Sequence, residues 1–128
     1  MATPIAESER THYNQAELVE FLASANGYSG YLIDNGYFNE AICFNLCMVD
    51  ITNNLAKIKK VAFRISLYYL NAAVAAFNMG DTKAKAYIQF AKADIAKNGA
   101  GTIHKEKFED ICKKIEAMPD NNGIPYIS

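Results

Sequence analysis

Tryptophan is absent from this chain, histidine occurs twice and proline three times. No apolar run approaches the roughly 20 residues that a membrane-crossing helix needs. The first residues, Met1 to Glu7, lack the basic start and apolar core of a secretory signal. Cysteine occurs three times, at positions 43, 47 and 112. That odd count in a chain needing no staples points to free thiols in a reducing compartment, the cytoplasm, rather than to a disulfide framework. No Cys-x-x-Cys spacing occurs, and His12 and His104 are the only imidazoles. A metal site therefore lacks its ligand set, and the thiols are expected to pack as small apolar groups. Nucleophile-elbow, phosphate-loop, dinucleotide and H-E-x-x-H motifs are all missing. Glu109 and Asp110 are neighbours, so on a helix they point about 100° apart and form no paired-carboxylate site. The expectation is a protein without cofactor, metal or catalytic residues.

What is present suits one compact domain. The 128 residues are 51% hydrophobic and 21% charged, ordinary globular usage, and a chain of this size can build its own core. Residues 1–128 read as a single helical domain, with 1–13 and 119–128 as loosely packed termini. Net charge is −1, unevenly spread. Through Ala56 seven acids face Arg10 alone, whereas from Lys57 to Met118 twelve bases face six acids. The two halves can neutralise each other within one fold or head-to-tail between copies. A basic patch for nucleic acid is the alternative, disfavoured by the near-neutral total.

Periodicity predicts five helices. Helix A is placed at 15–25, where Asn14 and Glu17 have capping-box spacing and Leu18, Phe21, Leu22 and Ala25 share a face. Three Gly-Tyr pairs between Asn26 and Tyr37 predict a turn-rich loop. The 43 residues from Tyr37 to Met79 contain neither glycine nor proline. As one helix they would run about 64 Å, too long for a compact domain. The weakest stretch is Asp50 to Asn54, whose Thr, Asn and Asp side chains compete for backbone bonds, so the break is expected near Thr52–Asn54. That leaves helix B at 37–51 and a long helix C at 55–79. Helix C is apolar around most of its girth, the mark of a central, buried element. Gly80 and Asp81 separate it from helix D at 82–97. Thr102 is expected to cap helix E at 103–117, which Pro119 ends. In the tail, Ile124, Tyr126 and Ile127 are expected to dock back. The fold class is an all-α, compact bundle of four to five helices with a buried central helix.

Leu70, Ala73, Phe77, Ala86, Phe90 and Ala93 fall at the spacing of small and aromatic packing positions in tetratricopeptide hairpins. Residues 67–97 thus resemble a single tetratricopeptide-like unit. Gly80-Asp81 sits one residue early, Asn98 stands where a proline is usual, and no 34-residue period recurs. The resemblance implies peptide or protein binding. Tyr68-Tyr69-Leu70-Asn71-Ala72-Ala73 also resembles the Tyr-Tyr helix of HEPN bundles. Nuclease members of that family place a histidine shortly after an arginine, and none follows Arg64, so the likeness does not carry RNA cleavage.

Binding has the better residues. Tyr28, Tyr31 and Tyr37 offer large contact area at small entropic cost. Lys57, Lys60 and Arg64 fall at spacings of 3 and 4, one face of the expected helix C. The leading reading is a small cytoplasmic helical protein, of adaptor, immunity or inhibitor type, that binds a protein partner or itself through these residues. The alternative is a nucleic-acid binder using basic helices 57–118, with tyrosines stacking on bases. An enzyme or small-ligand carrier would need a cavity lined by Cys43, Cys47, Tyr69 or Tyr87.

Overall fold

A computed structural model describes residues 7–60 and 62–119, with side chains from Glu20 onward. Five helices account for most of them: α1 (Glu7–Asp34), α2 (Phe38–Lys59), α3 (Ser66–Asn78), α4 (Lys83–Asn98) and α5 (Lys105–Glu116). No strand occurs among the described residues. No helix among them is long and apolar enough to cross a membrane.

Helix α3 is the centre and packs against all four others. Ala72, Ala73, Ala75 and Ala76 are 0% exposed, because a side chain of one methyl lets neighbouring backbones close in from several sides. Ala73 and Ala76 join Ala84, Ile88, Cys112 and Ile115 in a core shared by α3, α4 and α5. On the other side Tyr68 packs with Ala25, Met48 and Val49, and Ala75 with Leu32 and Ala41. The acidic pair α1–α2 and the lysine-rich pair α4–α5 thus flank α3.

Two helix ends follow from one device. Gly36 and Gly80 have φ of +81° and +71°. Gly36 N–H donates to Ile33 O and Tyr37 N–H to Leu32 O, at 3.1 and 2.8 Å. Gly80 N–H donates to Phe77 O and Asp81 N–H to Ala76 O, both at 2.9 Å. Both are Schellman closures, which require a left-handed residue that glycine adopts without a Cβ clash. Asp81 Oδ1 accepts from Lys83 N–H at 2.9 Å, but the N-cap of α4 is Thr82 rather than Asp81, the capping residue that its place after Gly80 suggests.

Several boundaries differ from the sequence expectation. Helix α1 does not stop at Gly27; it runs through the expected loop to Asp34. Ala25, Ser29 and Leu32 continue the buried face, and that packing outweighs roughly 1 kcal/mol lost at each helical glycine. Helix α2 likewise continues through Asp50–Asn54, because Met48, Val49 and Thr52 are buried. The break falls instead at Lys60, in the left-handed region with φ +55°. The central helix is therefore shorter, 66–78 rather than 55–79, and Ile58 belongs to α2, where it is exposed. His104, not Thr102, caps α5, its Nδ1 accepting from Lys107 N–H at 3.4 Å. The tail residues Ile124, Tyr126 and Ile127 lie outside the described residues, as do 1–6 and the side chain of His12, whereas residues 7–13, expected to precede a helix starting at 15, form the first turns of α1.

Candidate partner-binding surface

Helices α1 and α2 run antiparallel, and three contacts set their register. Leu32 shares a cluster with Ala41, Ala25 with Met48, and the Tyr28 ring meets Phe44 edge-on at 5.0 Å. A buried polar pair fixes this register further. Asn45 Nδ2 donates to Ser29 Oγ and to Ala41 O, each at 2.8 Å, and a slip of either helix would strand that amide among apolar groups.

Rings collect along this seam. Tyr31 stacks on Tyr28 at 6.4 Å with planes 12° apart. Tyr28 is 51% and Tyr31 56% exposed. Phe21, also exposed, lies two turns before Tyr28 and, by the same register, opposite Ile51–Thr52. On α2 the exposed residues Cys47, Ile51 and Ile58 continue the line at spacings of 4 and 7. Ile58 alone is 75% exposed. Isolated exposed apolar groups are normal; here Tyr28 and Tyr31 touch, while Phe21 on α1 and Cys47, Ile51 and Ile58 on α2 are exposed at helical spacing along the same pair of helices. The surroundings of the seam are acidic: Glu20, Asp34 and Glu40 are exposed, and no base occurs from 20 to 56.

The expected candidates separate into two groups. Tyr28 and Tyr31 come together, on a helix rather than in a loop. Tyr37 sits past the Gly36 turn at the N-cap of α2 and is exposed. Lys57, Lys60 and Arg64 do not form one helical face, because the chain leaves the helix at Lys60. Arg64 folds onto the 98–101 loop, its Nε donating to Asn98 O at 3.0 Å. A Cβ on Gly101 would sit 2.9 Å from Arg64 Cδ, so loop and arginine are closely fitted. Cys43 and Cys47, expected inside, are exposed, and only Cys112 is buried. Burial holds the Cys112 thiol above its ordinary 9.0.

One residue the periodicity left unremarked organises the other end of the bundle. Asp94, 7% exposed, reaches from α4 to the start of α3. Its Oδ2 accepts from Ile65 N–H and Ser66 N–H, both at 2.9 Å, and its Oδ1 from Asn98 Nδ2 at 2.7 Å. A carboxylate at the positive end of α3 is favourable for charge as well as for hydrogen bonding. The signal was its spacing: Asp94 follows Ile88 and Ala91 on the buried stripe of α4.

Among the described residues, half-open grooves of about 440, 470 and 310 Å³ line the flanks of α3. Tyr69 borders the third, together with Phe90 and Lys97. Among the described residues no three His, Cys, Asp or Glu side chains converge as a metal set would. Comparison with family models, with curated proteins and with solved structures finds no match.

Proposed function

We propose that this protein is a non-enzymatic binding protein of a reducing compartment. It acts by burying the α1–α2 seam against another protein, in the manner of an adaptor, immunity protein or inhibitor. The observation that carries this reading is the exposed row Phe21, Tyr28, Tyr31, Ile51 and Ile58 on a register locked from within. Rings held by their neighbours lose little freedom on binding, so most of the gain from removing them from water is retained. The acidic rim selects a partner of basic, amphipathic character and speeds encounter. The exposed thiols Cys43 and Cys47 support a reducing setting, and the tetratricopeptide-like spacing of 67–97 points to the same class of function. The separation of Arg64 from Lys57 and Lys60 favours a protein over a nucleic acid.

The test is affinity purification from the native host with mass spectrometry, using the wild type and the double variant Tyr28→Ala/Tyr31→Ala. Specific partners should be captured by the first and lost by the second while helical circular dichroism is unchanged. Capture that survives the double variant places binding elsewhere. Retention on heparin at moderate salt would instead support nucleic-acid binding.

A further inference from the structure

We infer that the surface received by the α1–α2 seam is the outer face of α4 on a second copy of the same chain, joined head-to-tail. This rests on the binding role proposed above and names its partner. Helix α4 presents Ala86, Phe90 and Ala93 outward at spacings of 4 and 3, all exposed, between Lys83 and Lys97. Phe90 is 51% exposed although its ring already leans on Tyr69 at 5.1 Å. Alanine on either side of a fixed ring leaves hollows into which the rings of another helix pair can insert.

Charge agrees. The seam side carries the exposed acids Glu20, Asp34 and Glu40 and no base before Lys57, while Asp50 on α2 stands toward Tyr69 instead. On α4 the buried Asp94 is consumed as the cap of α3, so the exposed rim of the strip is left with Lys83 and Lys97. Seam against seam, the two-fold arrangement, would set acids against acids. Seam against α4 sets acids against lysines, and like-charge apposition is what interfaces avoid. Because seam and strip are different faces of one molecule, each copy keeps one of each unsatisfied, and growth continues until a ring closes or a filament forms.

The experiment is light scattering of the full chain across a concentration series, at low and high salt. The variants are Tyr31→Lys/Ile51→Lys for the seam and Phe90→Ala/Lys97→Glu for the strip. The wild type should gain mass with concentration and lose it as salt is raised. Each variant should remain at the mass of one chain, and an equal mixture should double in mass and stop there, since only one productive junction remains. Circular dichroism melts show that each variant is folded. A wild type that stays monomeric throughout overturns self-recognition, and so does assembly abolished by the seam variant but untouched by the strip variant. If the monomeric protein still captures a host partner through Tyr28 and Tyr31, the binding role stands without it; if that capture fails too, both fall.

Discussion

Asp94 shows how much one side chain can hold. It satisfies two backbone donors of the 60–65 link and α3 while carrying charge at a helix end. Replacing it by alanine leaves those donors buried without a partner, which should cost about 2–4 kcal/mol. Asp94→Asn keeps one acceptor and should cost about 1 kcal/mol. Urea denaturation measures both, and equal losses would show that charge and acceptor count are irrelevant there. Gly27 makes the opposite case. A Cβ there would meet nothing within 4 Å, so Gly27→Ala should stabilise by about 0.5–1 kcal/mol through helix propensity alone. That corresponds to a rise of about 2–5 °C in Tm, and a fall would mean that the helix is strained at this point.

At the level of elements, sequence and structure part where local signals and burial disagree. Helices α4 and α5 were legible to within one or two residues, because Gly80, Asp81, Gly99 and Pro119 mark their ends and their apolar stripes are regular. The α1–α2 turn at Gly36 was legible for the same reason. Gly27, Gly30 and the Asp50–Asn54 stretch misled, since each weakens a helix locally while the faces beneath them, Ser29, Leu32, Met48 and Thr52, are buried. Periodicity cannot weigh packing it does not see. Of the candidate surface, the exposure of the tyrosines was legible but their stacking was not, because it depends on an antiparallel register set by Asn45 and Ser29. The basic strip assumed a helix that in fact ends at Lys60.

For the whole molecule, the buried hydroxyls and thiol make stability depend on alkaline pH. Burial raises Tyr68, Tyr69 and Tyr87 above the ordinary 10.0, and Cys112 above 9.0. At Tyr68 interaction with the Thr52 hydroxyl offsets part of this, although that hydroxyl reaches no good hydrogen-bond geometry. Groups whose pKa rises on folding favour the folded state below their unfolded values, and that advantage is lost as pH climbs through the folded ones. Lys92, raised by its bond to Glu116, acts in the same direction. Tm should therefore be level near neutrality and fall above about pH 9, and Cys112→Ala should remove the earliest part of the fall. A melting profile that stays flat to about pH 11 would refute this.

The four alanines of α3 also decide where this sequence is free to drift. At 72, 73, 75 and 76 the side chains are shut off from solvent between packed helices, so an added methyl has to push against a neighbouring element rather than out into water. A map of tolerated substitutions would be nearly blank at those four positions and crowded along the outer rims of α1 and α4. New specificities can therefore be tried on the flanks while the hub stays fixed.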